Sequence, residues 1–311
     1  PAIMALAVAS PSEAKILLMG DGGWEVSFDG LVNGFYSYNT TEELTAAERT
    51  TNANHTGEDL DGEDTSRITV GLLPAVWGMN IKAPTTNGLD MGARIGIYPS
   101  IQNNRRKNTA RPATGGQSGA NIDLREIFFT VDGSFGQVLV GRTLSIYQGK
   151  NILTDMTLFG VGAGGGGAGG TTLGRIGWGY IYPNFNAAIR YTTPDFNGVK
   201  LTAGIYDPST IGGPDMDGDL DTDGVSETSA PRVEAELSYA GDVGGASVSA
   251  WASGMYQTAQ RSTGNIQEAC ANAANGGQTP VSTDACTVSS SVEVGGGAFG
   301  LQLGFGGLTL T

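Results

Sequence analysis

The sequence has few of the residues on which most enzymes and helical membrane proteins depend. Its 311 residues include two cysteines, one histidine and only 15% charged residues. No run of about eighteen or more apolar residues occurs, so a transmembrane helix is excluded and a membrane location would have to be built from strands. The 17 lysines and arginines are spread along a chain of net charge −14, which argues against nucleic acid as a partner.

The scarcity of histidine and cysteine also argues against catalysis. His55 has no recognisable Ser or Asp partner, and the Gly-x-Ser-x-Gly motif of hydrolases does not occur. The glycine-rich run 160–170 lacks the Lys-Ser/Thr that ends a phosphate-binding loop. Cys270 and Cys286 lie in a segment rich in Gly, Asn, Ser and Thr, where we expect a loop disulfide formed in an oxidising compartment. We therefore expect a protein that is not an enzyme.

What the sequence does have is 50 glycines, many aromatic residues and an alternation of apolar and polar side chains with period two. The segment 24–38 carries the strongest alternation. One of its faces has Trp24, Val26, Phe28, Val32, Tyr36 and Tyr38, and the other has Glu25, Ser27, Asp29, Asn33 and Ser37. An apolar outer face and a polar inner face are what a lipid-exposed, water-lined β-barrel needs.

Strand candidates of this kind recur along the whole chain. They cover residues 24–38, 66–78, 89–99, 122–132, 137–143, 173–180, 184–192, 199–206, 232–239, 246–256 and 290–304, with a further start at 306–311. Compact turns rich in Gly, Asp and Asn join several pairs, in the segments VDGSFGQ, PDFNGVK and AGDVGGA. Longer polar segments separate the pairs, near residues 40–64, 100–121, 144–172, 207–230 and 258–289. This asymmetry predicts short periplasmic turns and long extracellular loops.

Two stretches resemble the general porin family of Gram-negative bacteria. They are LREIFFTVDGSFGQVLVGRT and LGRIGWGYIYPNFNAAIRYTTPDFNGVKLTAGIYDPS, and weaker likeness extends to the first strand and to PRVEAELSY. The resemblance implies an all-β fold, a transmembrane antiparallel β-barrel of sixteen strands, of which roughly eleven or twelve are represented here. It also implies a homotrimer in the outer membrane, in contact with lipid and lipopolysaccharide, that forms a water-filled channel for passive diffusion of ions and small hydrophilic solutes.

The resemblance further implies a constriction loop at about residues 144–172, whose acidic groups face arginines on the barrel wall. Its candidate acid is Asp155, with Lys150 as the nearby base. Candidate wall arginines are Arg67, Arg125 and Arg175, with Arg94 and Arg142 as neighbours. Facing charges in a narrow pore would filter solutes by charge and size. Each arginine also has a plainer interpretation, as a charge at the surface, at the trimer interface or at a lipopolysaccharide-binding rim.

An acidic segment raises the alternative of calcium binding. Aspartates occupy every second position in PDMDGDLDTDG, at Asp215, Asp217, Asp219, Asp221 and Asp223. The spacing resembles the first half of a calcium loop, although Ala230 stands where a bidentate Glu would be expected. Two interpretations stay open: a solvated acidic loop at the cell surface, or a Ca²⁺ site in a protein that otherwise requires no cofactor. An exported, calcium-binding structural or adhesive β protein is accordingly the alternative to a porin.

The two ends of the sequence carry expectations of their own. Residues 1–15 are either the remnant of a signal peptide or an N-terminal arm, and residues 16–311 are expected to form one barrel domain. A barrel in lipid cannot leave a strand edge open. We therefore expect several C-terminal strands to be missing from this sequence, with a smaller barrel of about twelve strands as the alternative.

Overall fold

A computed structural model describes residues 16–39, 65–102, 122–163, 171–211, 228–260, 291–305 and 308–310. The chain divides into two compact units: unit 1 comprises residues 1–144 and 148–185, and unit 2 comprises residues 145–147 and 186–311. Each is antiparallel β-structure. No helix in these ranges is both long and apolar enough to cross a membrane.

Unit 1 is a sheet with the strand order β1-β2-β5-β6-β7-β8, beside a separate β3-β4 pair. Its elements are β1 Ile16–Asp21, β2 Trp24–Leu31, β3 Phe35–Asn39, β4 Thr65–Thr69, β5 Val76–Lys82, β6 Asp90–Ile97, β7 Leu124–Gly133, β8 Gly136–Leu144 and the short helix α1 Gly149–Leu153. A small apolar cluster packs between the β4–β5 connection and the segment that follows β8. Its buried members are Leu72, Ile152, Leu158 and Tyr180.

Unit 2 continues the antiparallel pattern, in the strand order β9-β10-β11-β12-β13-β14. Its strands are β9 Phe185–Thr192, of which Phe185 itself belongs to unit 1, β10 Val199–Tyr206, β11 Arg232–Val243, β12 Ala246–Gln260, β13 Ser291–Phe305 and β14 Leu308–Leu310. The pairing of β12 with β13 extends without a register shift from Ser247 opposite Gly304 to Gln260 opposite Ser291. Strands of 15 residues are longer than soluble sheets usually contain.

Two-residue turns with left-handed backbone close four of the hairpins. Both central residues have positive φ in each turn, at Gly22-Gly23, Asn87-Gly88, Asn197-Gly198 and Gly244-Gly245. This conformation matches the twist of the flanking strands, and it favours Asn and Gly because neither pays a large steric penalty there. The predicted turns in PDFNGVK and AGDVGGA are confirmed, as is a turn between β7 and β8 in VDGSFGQ.

The strand faces alternate as the sequence predicts. On β2, Ser27 is 1% exposed, whereas Trp24 on the other face is 54% exposed. The neighbouring strand β5 follows the same rule, since Trp77 is exposed and its ring packs edge-on against Phe28 at 6.2 Å between centroids. Large apolar side chains therefore point away from the protein on one face of the sheet, and polar side chains are buried on the other.

The first two strand predictions were too long. Segment 24–38 divides into β2, which pairs with β5, and β3, which pairs with β4. The break falls at Asn33, whose buried Nδ2 donates to the carbonyl of Leu73 at 2.9 Å. Segment 66–78 likewise divides into β4 and β5 around Pro74, which has no N–H to donate to a strand ladder.

The strand predicted at 173–180 is wrong, and a strand near the start of the chain was missed. Residues 173–180 form turns and isolated bridges, because Gly174, Gly177 and Gly179 all adopt positive φ. Strand β1 pairs with β2 ahead of the first predicted strand. The start predicted at 306–311 is confirmed by β14.

Candidate functional site

Asp29, Arg94 and Glu126 form an ionic network on the polar face of unit 1. Arg94 Nε lies 2.7 Å from Glu126 Oε2, and Arg94 Nη1 lies 2.7 Å from Asp29 Oδ2. Nη2 donates to the second oxygen of Asp29 at 3.1 Å, so this carboxylate is held by both terminal nitrogens. Asn80 accepts from Nη1 at 2.8 Å and donates to Asp29 at 2.6 Å. The guanidinium donors are thus directed at neighbouring protein side chains.

A glycine allows this network to cross a strand. Asp29 belongs to β2 and Arg94 to β6, and β5 lies between them. In the register of the sheet, Gly78 of β5 stands opposite Asp29. A Cβ at Gly78 would be 2.6 Å from both terminal nitrogens of Arg94, which is closer than real Cβ atoms come to other heavy atoms. The ion pair therefore forms across β5 because residue 78 has no side chain.

Arg125 lies against aromatic rings beside this network. Its guanidinium carbon is 5.3 Å from the centroid of the Tyr98 ring and 5.6 Å from that of Phe185. Its Nε donates to Asp123 at 2.8 Å. Tyr98 in turn donates its hydroxyl to Glu126 at 2.9 Å, so that the aromatic stack and the ionic network are joined. Contact with a ring face and pairing with a carboxylate both stabilise the buried cation.

Asp155 organises the loop that follows β8. Its Oδ1 accepts from the backbone N–H and hydroxyl of Thr157, at 2.8 and 2.7 Å. Its Oδ2 accepts from the backbone N–H of Arg175 at 3.0 Å and from the hydroxyl of Tyr180. Burial by itself would raise the pKa of Asp155, but these hydrogen bonds to the charged form outweigh it and hold the pKa below its ordinary value. Burial and the facing carboxylate raise the pKa of Tyr180.

The loop that contains Asp155 is also bonded to the connection between β4 and β5. The N–H of Leu72 donates to the carbonyl of Gly160 at 3.0 Å, and that of Leu73 donates to Leu158 at 3.3 Å. Thr172 N–H donates back to Gly71 at 3.0 Å. The described residues around Asp155 in the predicted constriction segment are therefore held by backbone hydrogen bonds within unit 1.

The other predicted site residues lie in different surroundings. Lys150 belongs to α1, and Arg175 is exposed with Nη1 3.4 Å from Met156 Sδ. Arg142 is exposed and stands opposite Ile127, which puts it on the apolar strand face rather than beside the wall arginines. Arg67 stands opposite Ser37 in the β3-β4 pair, and its side chain is outside the described part of the structure.

Unit 2 has a buried polar cluster around Arg232 and Glu234, which form an ion pair. Arg232 Nη2 also donates to Ser145 Oγ at 3.0 Å. Glu234 accepts from the backbone N–H of Tyr147 at 3.0 Å, and Asn186 donates to Ser145 Oγ at 2.7 Å. The short segment 145–147 is therefore fixed by side chains of β9 and β11.

Several predicted sites lie outside the described residues. They are the calcium candidates Asp215, Asp217, Asp219, Asp221 and Asp223 and the disulfide candidates Cys270 and Cys286. Within the described ranges, no group of three or more His, Cys, Asp or Glu side chains could hold a metal ion.

Sequence reasoning missed the partners of the arginines, above all Asp29, Glu126 and Glu234. The alternation of side chains placed Asp29 on the polar face, but only the strand register brings it to Arg94. Glu126 lies one residue from a predicted wall arginine, and it binds Arg94 because it stands opposite Gly96, two residues from Arg94 on the same strand face.

A model of the Gram-negative porin family matches residues 2–307, which is nearly the whole chain. The chain belongs to the Gram-negative porin family. Such porins are outer-membrane proteins that span the lipid as antiparallel β-barrels, with apolar side chains facing lipid and polar side chains facing the interior. Membership therefore explains the exposed apolar strand face and identifies the face that carries Asp29, Arg94 and Glu126 as the inner one.

Among solved structures, the chain is similar to an anion-selective porin from Comamonas acidovorans, with 17% sequence identity and a TM-score of 0.41. The similarity covers 78% of this chain, and the chain spans 65% of the length of that porin. No curated protein matches the sequence.

Proposed function

We propose that this porin forms a water-filled channel for the passive diffusion of ions and small hydrophilic solutes across the outer membrane. The family match over residues 2–307 carries the proposal. The alternating faces support it, because charged side chains such as Arg94 and Glu126 lie opposite a surface of exposed Trp, Ile and Phe. A wall of this kind suits lipid on one side and water on the other.

The channel is proposed to be narrowed by the segment at about 144–172. Asp155 supports the loop through hydrogen bonds rather than by offering its charge to solutes. Lys150 and Arg175 are basic groups of this region, and Arg94 and Arg125 belong to the wall. The proposed activity is transport without catalysis.

The proposed assembly is a homotrimer in contact with outer-membrane lipid and lipopolysaccharide. Arg142 supports a contact outside the pore, because it is exposed on the apolar face beside Val140. A cation there can pair with a lipid phosphate near the membrane rim, whereas it would be costly in the middle of the bilayer. Calcium binding by the aspartates at 215–223 and the disulfide between Cys270 and Cys286 remain proposals.

Planar-bilayer recording tests the channel directly. Refolded protein added at low concentration is expected to give stepwise increases in conductance that persist at constant voltage. A protein that is folded, as judged by its β-sheet circular dichroism and resistance to protease, but gives no steps would contradict the channel.

A further inference from the structure

We infer that the channel prefers cations to anions, because on the inner strand faces that the structure describes the carboxylates equal or outnumber the arginines. The inference rests on the proposed channel and adds its solute class. It depends on two groups of side chains: the wall network, formed by Asp29, Arg94 and Glu126, and the wall row, formed by Arg190, Arg232, Glu234 and Glu236.

The wall network carries one positive and two negative charges. Arg94 makes ion pairs of 2.7 Å with both carboxylates, and a further bond to Asn80 occupies its Nη1. The side chain of Asp29 is 33% exposed, compared with 20% for Arg94 and 13% for Glu126. The most accessible charge of the network is therefore a carboxylate, and the network presents net negative charge to the interior.

The charges of the four side chains in the wall row sum to zero. Arg232 pairs with Glu234, and its side chain is 9% exposed. Arg190 lies on the same face of the sheet, because Gly204 stands opposite both Arg190 and Glu234 in the register of β10 with its neighbours. Glu236, two residues after Glu234, is buried on that face. Two arginines and two glutamates balance, and Lys200 on the same face is 3.6 Å from Asp195, so that no excess positive charge is left to attract anions.

Arg125 does not add net positive charge to the inner face. It pairs with Asp123 at 2.8 Å, and its side chain is only 13% exposed beneath the rings of Tyr98 and Phe185. On the described strand faces the charge is therefore net negative, and such a lining in a low-dielectric wall raises the local concentration of cations and lowers that of anions. Because salt screens such charges over about 10 Å at 0.1 M, the preference is expected to be strongest in dilute electrolyte.

Reversal potentials across a planar bilayer test this inference. In a tenfold KCl gradient kept at low ionic strength, the unmodified protein is expected to show a K⁺/Cl⁻ permeability ratio above one. The double variant Asp29→Asn with Glu126→Gln keeps oxygen acceptors for Arg94 but removes both negative charges. Its permeability ratio is expected to fall by about twofold or more, since the wall network then carries net positive charge.

Glu293→Gln is the matched control. It removes one carboxylate from the outward face of β13, where Glu293 is exposed on the same face as Phe299, and it should leave the permeability ratio unchanged. Stepwise openings with a preference for chloride would overturn the cation inference but leave the proposed channel standing. A double variant with the same K⁺/Cl⁻ permeability ratio as the unmodified protein would do the same. Absence of openings from folded protein would overturn the channel itself. If the double variant does not fold, the reversal potential of the unmodified protein still tests the inference, because its sign shows whether K⁺ or Cl⁻ is preferred.

Discussion

Asp155 receives two donors on each of its carboxylate oxygens, and this arrangement defines its role at the scale of a single residue. A carboxylate can accept from all of these groups, whereas an amide can accept on one side only. The interaction also fixes a pH window. Because the folded pKa lies below the ordinary value of 3.8, the contribution to loop stability is complete above that value and is lost as the pH falls through the folded pKa.

Asp155→Asn is therefore expected to loosen the loop by about 1–3 kcal/mol, since its Nδ2 would face donors instead of receiving them. Hydrogen–deuterium exchange of peptides that contain the amides of Thr157 and Arg175 measures this change. At neutral pH the variant should exchange faster than the unmodified protein, and the unmodified protein should approach the variant only below about pH 4. Asp195→Asn serves as the control. Equal protection in the two proteins at neutral pH would contradict this role for Asp155.

At the scale of the strand, β11 shows how adjacent residues meet opposite environments. Leu237 is 54% exposed on the apolar face, and Ser238 follows it on the polar face. Leu237 stands opposite Leu201 on one side and Ala252 on the other, so its face is apolar on three neighbouring strands. Burial in lipid makes an exposed surface of this kind favourable.

Leu237→Lys should therefore destabilise the protein in lipid vesicles by about 2–4 kcal/mol, because the ammonium would face the hydrocarbon. Ser238→Lys is the matched control, with the same new charge one residue away but directed into the water-filled interior. Urea unfolding followed by tryptophan fluorescence measures both variants. Equal losses of stability in the two variants would contradict a lipid environment for one face and water for the other.

At the scale of the whole molecule, the connections at one end of the strands in each unit are short and those at the other end are long. In unit 2 the turn Gly244-Gly245 joins β11 to β12, while residues 207–231 join β10 to β11 at the opposite end of the strands. In outer-membrane barrels the short turns face the periplasm and the long connections face outward. The connection at 207–231 also contains the acidic aspartate segment.

An epitope inserted after residue 218 is accordingly expected to bind antibody on intact Gram-negative cells. The same epitope inserted between Gly244 and Gly245, where a side chain would meet open space, should bind only after the outer membrane is permeabilised. Immunofluorescence with and without permeabilisation measures the difference. The reverse pattern would show the opposite orientation in the membrane.

The sequence by itself determined which side chains share a strand face and where the tight turns fall. Both are local properties: period-two alternation needs only the pleat of the strand, and Asn197-Gly198 needs only its own left-handed backbone. Hence most strands, the all-β fold and the family resemblance could be predicted from the sequence.

Only the tertiary structure decided which charges meet. The bond from Asn33 to Leu73 ends β2, and the absent side chain of Gly78 lets Arg94 reach Asp29 across β5. Asp155 became a support of its loop because Arg175 and Tyr180, remote in sequence, donate to it. These interactions depend on strand register and on chain segments that approach one another in space, which alternation along a single strand does not specify.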